Sequence, residues 1–171
     1  METWDAIRAR RNVRVYEDRP ISESDLNRIL EAGWRAPSAS NRQNWDFVVT
    51  RQRSQLQELA AVWQGAKHVA GSAVTITLVL PAPEDDRRRV LDQYDLGQAT
   101  ILMMLAAADL GIGSGHSAIG DVAACREILG IPGGHEPAYL LAFGYPADRP
   151  LSPIVNPKRR PFEEVVHRGH W

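Results

Sequence analysis

The sequence predicts an α+β fold in which helices pack on a mixed central β-sheet. Three observations predict it. Residues 45–50, 73–80 and 138–145 are rich in aromatic and β-branched side chains and read as strands. Segments with the apolar spacing of helices lie between them. A long helix carries, over residues 99–108, a belt that is apolar almost all round, which marks burial on most sides. Three strands give that belt too little cover, so a dimer interface is expected to supply the rest. At 171 residues the chain is one domain, spanning 1–171. A chain of this size buries about 70% of its unfolded surface, enough for an ordinary core.

The first predicted element is a short helix over residues 4–11, with Trp4, Ile7 and the stem of Arg8 turned inward. A second helix follows Pro20. Ser22 is its N-cap, Asp25 reaches back to it, and Ile21 and Leu26 stand at the staple positions. Leu26, Ile29 and Leu30 keep helical spacing, and Gly33 and Pro37 end the run. The first strand is 45–50 (WDFVVT). Ser54 and Gln57 make a second capping box for a helix continued by Leu56, Leu59, Ala60 and Trp63. The second strand, 73–80 (AVTITLVL), is closed by Pro81 and Pro83. The long helix starts at Glu84 or Asp86 and runs to Leu110, with Gly111 as its C′ residue. A glycine-rich turn over 111–115 follows. Asp121 caps a short helix ending at Gly130 and Pro132, and 138–145 (AYLLAFGY) is the third strand. Pro146, Pro150, Pro153 and Pro157 make 146–171 an extended C-terminal arm. A short helix over 162–167 closes it.

Composition excludes several classes of function. Apolar residues are 44% and charged residues 24%, which argues against disorder. A net charge of −1 lacks the basic footprint of a nucleic-acid binder. The longest strongly apolar run, residues 101–108, falls short of the roughly 20 residues a membrane span needs. Residues 1–5 lack the apolar core of a signal peptide. The single cysteine, Cys125, allows no intrachain disulfide, and a reducing, cytoplasmic setting is expected. Within a predicted helix it reads as a small buried apolar group. No HExxH, GxxxxGK[ST], GxSxG or cysteine pair is present, so metal hydrolysis, P-loop and dithiol chemistry have no support. His167 and His170 lack carboxylate or cysteine companions, and no metal site is expected there.

Three segments carry the candidate chemistry. Residues 8–14 hold four arginines, Arg8, Arg10, Arg11 and Arg14, in a chain of near-zero charge. Arg10 and Arg14 share one face if helical. Guanidinium forks together with Asn12 suit a phosphate group; a solvated helix end is the other reading. Arg159 and Arg160, beside Lys158, form a second basic cluster, and two clusters closing on one phosphate would use both. Arg87, Arg88 and Arg89 read as a wet helix face. The loop Ala36-Pro37-Ser38-Ala39-Ser40-Asn41-Arg42-Gln43-Asn44-Trp45 is rich in hydrogen-bonding groups. Ser38, Asn41 and Gln43 either read a heteroaromatic edge or make plain turn chemistry. The run Gly111-Ile112-Gly113-Ser114-Gly115 lacks the preceding strand of a dinucleotide fingerprint. It reads as a helix C-cap and tight turn, or as a place where backbone N–H groups approach a flat ligand.

Together these pieces resemble the nitroreductase family of FMN-dependent oxidoreductases over nearly the whole chain. The resemblance rests on Arg10-Arg11-Asn12-Val13-Arg14, on the 36–45 loop, on a buried helix running into Leu110-Gly111-Ile112-Gly113, and on Arg159-Arg160-Pro161-Phe162-Glu163-Glu164-Val165-Val166-His167 with Trp171. It implies an intertwined homodimer with an FMN at each interface site. It implies that Arg10, Asn12 and Arg14, with Arg11 beside them, hold the phosphate with Arg159 or Arg160. Pro37, Ser38 and Ala39 would come from the partner subunit and lie against the flavin, with Asn41 and Gln43 nearby. Gly113, Ser114 and Gly115 would offer backbone donors near its reactive nitrogen. The implied reaction passes hydride from NADH or NADPH through FMN to a nitroaromatic, quinone or similar acceptor by a ping-pong route. The cofactor carries the chemistry, so no catalytic acid or base is expected. Alternatives on the same fold are dehalogenation, flavin fragmentation, or flavin binding without catalysis. Asn12 stands where the family has Ser, and Asn44 where it has Pro. Little chain separates Pro83 from the long helix, which implies an open pocket. His116 follows the glycine turn, either facing the substrate space or simply solvated.

Overall fold

A computed structural model describes all 171 residues. The helices are α1 (Thr3–Ala9), α2 (Glu23–Trp34), α3 (Arg53–Ala61), α4 (Asp86–Asp109) and α5 (Val122–Leu129). The strands are β1 (Asp46–Thr50), β2 (Val74–Pro81), β3 (Gly113–Ala118) and β4 (His135–Gly144). Short 3-10 turns occupy Ala39–Asn41, Gln64–Gly71 and Phe162–Glu164. The four strands form one sheet in the order β1-β2-β4-β3, with every neighbouring pair antiparallel. The sheet is therefore antiparallel throughout, a correction to the mixed sheet expected; the one parallel bridge, Asn12 to Ser114, is isolated and lies outside the named strands.

The sheet separates two cores. Helices α2 and α4 cover one face, where Leu26, Ile29, Met103, Ile76, Leu141 and Phe143 meet. On the other face α3, α5 and the 64–71 turn pack Leu56, Leu59, Val69 and Cys125 against Leu140 and Ala142. Strand β4 thus sends alternate side chains to opposite cores, as its pleat requires. Burial pushes the Cys125 thiol up to about 11. Central β2 is buried along nearly all its length. No helix is long and apolar enough to cross a membrane.

Local signals produce several of these elements. Ser22 Oγ accepts the Asp25 N–H at 3.1 Å, and Asp121 Oδ1 accepts the Ala124 N–H at 2.9 Å, so both helix starts are capped as predicted. Gly111 and Gly130 take φ of +73° and +62° after α4 and α5, the left-handed stop that favours glycine.

Other expectations are corrected. Trp4 and Ile7 are 67% and 45% exposed, while Ala6 and Ala9 face the core. Gly33 does not stop α2 but sits inside it, where a Cβ would lie 2.8 Å from Met103. Its role is close contact between α2 and α4. Ser54 lies within α3, whose N-cap is Gln52 without a side-chain bond. The predicted turn ends at Ile112, and residues 113–118 form a fourth strand. The 3-10 turn over 64–71 was not foreseen. Every residue from 152 to 171 is exposed, and the last helix shrinks to the turn Phe162–Glu164.

Candidate functional site

Helix α1 ends at Ala9, and the Arg10 N–H closes its last turn on the Ala6 carbonyl at 2.9 Å. The chain then runs extended along β3. The Val13 N–H donates to the Ser114 carbonyl at 2.8 Å, and the Tyr16 hydroxyl donates to the Val13 carbonyl at 2.8 Å. Glycine makes this approach possible. A Cβ on Gly113 would lie 2.6 Å from Val13 Cγ2, and one on Gly115 would lie 2.3 Å from the Val13 carbonyl oxygen. Gly113, Ser114 and Gly115 are buried, and the structure uses the two glycines for packing. Burial also raises the Tyr16 phenol well above its ordinary value.

This path divides the arginines between two tasks. Arg10 lines a cavity of about 360 Å³ between the end of α1, one face of α4 and the β3–β4 pair. Arg11 turns the other way. It donates to both carboxylate oxygens of Asp148, at 3.2 and 2.9 Å, and to the Arg149 carbonyl at 2.6 Å. These bonds and the guanidinium charge hold the Asp148 carboxyl below its usual range. Arg11 therefore fastens the arm and does not line the Arg10 cavity. Asn12 and Arg14 stay exposed beside the cavity's strand.

The cavity's other walls come from Gln93, Gly97, Thr100 and Met104 on one face of α4, and from His116 and Tyr139 on the sheet. A Cβ on Gly97 would meet nothing within 4 Å, so the helix wall is open there. One guanidinium, a largely apolar helix face and two flat polar side chains fit a planar ring with an anionic tail. His116 is exposed and borders this cavity.

Arg159 and Arg160 are absent from this lining. Arg159 Nη1 donates to the Lys158 carbonyl at 3.1 Å, and Arg160 Nε lies 3.5 Å from Glu164. The Ile154 N–H donates to the Arg8 carbonyl at 3.0 Å, which holds the arm beside α1, and beyond that point every residue is exposed.

Pro37, Ser38, Ala39, Asn41 and Gln43 do not line the Arg10 cavity either. Their loop has a defined shape. Ser40, Asn41 and Gln43 all take φ of +54°, where non-glycine residues are uncommon. The Gln43 N–H donates to Ser38 Oγ at 2.9 Å, and Gln43 Nε2 donates to the Asn41 carbonyl at 3.0 Å. Two carboxylates of α4 hold the loop from beneath. The Ala39 N–H donates to Asp95 Oδ2 at 2.9 Å, and Asn44 Nδ2 donates to Asp92 Oδ1 at 3.1 Å. Asp92 and Asp95 are only 4% and 5% exposed. Sequence reading missed both, although two aspartates one helical turn apart at core-facing positions were a visible signal. It also missed His68, whose Nε2 lies 3.3 Å from the Gly115 carbonyl and whose burial lowers its pKa.

Comparison with known proteins identifies the family. The model of the Nitroreductase family matches residues 7–79 and 60–145. The chain belongs to the nitroreductase family. It is 31% identical over 174 residues to an Archaeoglobus fulgidus protein provisionally named NADH dehydrogenase/NAD(P)H nitroreductase, covering 99% of each chain. Two solved structures share the fold of this nitroreductase-family chain. The FMN-dependent nitroreductase of Clostridium difficile superposes with a TM-score of 0.84 at 21% identity, over 97% of this chain and 98% of that one. The NADPH:FMN oxidoreductase of Vibrio harveyi, complexed with NAD+, superposes with a TM-score of 0.85 at 24% identity, over 97% and 76%.

Proposed function

We propose that this nitroreductase-family chain is an FMN-dependent oxidoreductase that takes hydride from NADH or NADPH and passes it to a nitroaromatic, quinone or similar small acceptor by a ping-pong route. The Arg10 cavity is the observation that carries this reading. FMN, when bound, supplies both hydride uptake and hydride delivery. The chain's part is to bind and orient. Arg10 faces the anionic tail, with Asn12 and Arg14 exposed on the adjoining segment to join it. Gly97 leaves the helix wall flat for a ring. His116 and Tyr139 border the space where donor and acceptor take turns.

The reading includes a homodimer. Trp4, Ile7 and Ile101 are exposed on the α1–α4 side, and Val155, Phe162, Val166 and Trp171 are exposed on the arm, Trp171 at 97%. Apolar groups gathered this way mark a surface that another chain covers. A partner is also the route by which Pro37, Ser38 and Ala39, with Asn41 and Gln43, reach a flavin, and by which Arg159 and Arg160 reach its phosphate. The 31% identical relative and its NAD(P)H name support the donor.

Purified protein given FMN should turn yellow. Under anaerobic conditions NADH or NADPH should bleach it, and a nitroaromatic or quinone should restore the colour. A chain that takes up no FMN overturns the reading. A yellow protein that neither nicotinamide bleaches is a flavin-holding protein instead of an enzyme.

A further inference from the structure

We propose that Asp92 and Asp95, together with Asn44, are positioning residues that hold the 37–44 loop in the shape it needs over bound FMN. The inference rests on the functional reading above. Both carboxylates are buried, and a carboxylate taken out of water is costly unless it is hydrogen-bonded. Each uses its loop-facing oxygen on the loop. Asp95 takes the backbone N–H of Ala39 near the loop's start, and Asp92 takes the side chain of Asn44 near its end. They lie one turn apart on α4, so a rigid helix grips both ends of the loop at a fixed separation.

What lies between the grips is strained. Ser40, Asn41 and Gln43 all sit at positive φ, and such backbone persists where its surroundings over-determine it. Gln98 Nε2 backs up Asp95 by donating to Oδ1 at 3.3 Å. Asp92 has no such support, because its Oδ2 is buried without a partner. The bond to Asn44 is thus its single tether. The helix residues next to the grips, Gln93 and Leu96, line the Arg10 cavity. One helix therefore carries the loop on one face and the cavity wall on the next.

The test is FMN titration of the full chain, read by flavin fluorescence and by the visible circular dichroism of the bound ring. Asp95→Ala removes the acceptor for Ala39, and Asp95→Asn returns one. Asn44→Asp sets two carboxylates against each other, and adding Asp92→Asn restores the bond with donor and acceptor exchanged. Asp95→Ala and Asn44→Asp should weaken FMN binding about tenfold and alter the dichroism. Asp95→Asn and the exchanged pair should recover both. Where Asp95→Ala fails to fold, Asn44→Asp against the exchanged pair decides alone. Wild-type affinity and dichroism in every variant, or no recovery in the exchanged pair, overturns the inference and leaves the functional reading standing. A wild-type chain that takes up no FMN overturns both.

Discussion

Arg10 and Arg11 are neighbours in sequence and point to different tasks. The clustering of four arginines is visible in the sequence, but its division is not. Arg11 finds Asp148 at a separation of 137 residues, and only the folded path of the arm brings that carboxylate within reach. The same limit hid Asp92 and Asp95, whose worth depends on a loop about fifty residues away. Arg10 is the arginine left to the cavity. Arg10→Ala should therefore weaken FMN binding by about 1.5–3 kcal/mol, the range for a hydrogen bond to a charged group. Flavin titration checks this, and unchanged affinity would remove Arg10 from the site.

Among the elements, legibility follows how local the signal is. The starts of α2 and α5 are written in Ser22 and Asp121, which act within three residues. Strands β2 and β4 are written in their β-branched and apolar runs. Strand β3 is not, because GSGHSA has no β-branched residue and forms by pairing with β4 and by admitting the 12–16 segment. Gly33 misled for a related reason: its purpose is a neighbour on another helix. These observations make Gly115 a sharp test. A Cβ there meets a backbone oxygen, which yields only if the 12–16 segment lifts from the strand. Gly115→Ala should cost about 1–3 kcal/mol of stability and weaken FMN binding with it, because Asn12 and Arg14 ride on that segment. Chemical denaturation and flavin titration measure the two effects. Gly133→Ala, where the added carbon meets nothing, serves as the stability control.

At the scale of the molecule, the α+β class was legible, since it follows from apolar pattern. The meeting of the two basic clusters proposed above calls on a second chain, and no local pattern in the sequence encodes it. What one chain does settle is where the arm leaves the body. The arm is fastened by Arg11 on Asp148 and by the Ile154 N–H on the Arg8 carbonyl. Asp148 has a lowered folded pKa, so its fastening is present above the ordinary aspartate range and fades as pH falls through the lowered value. Limited proteolysis by an acid-active protease should cut beyond residue 148 more readily below about pH 4, while far-ultraviolet dichroism still reports an intact sheet. Simultaneous loss of both signals would contradict this. Acidification thus acts on this molecule as on a garment closed by two clasps, undoing one of them along the seam that joins its front edge to its trailing end while the cloth between stays whole.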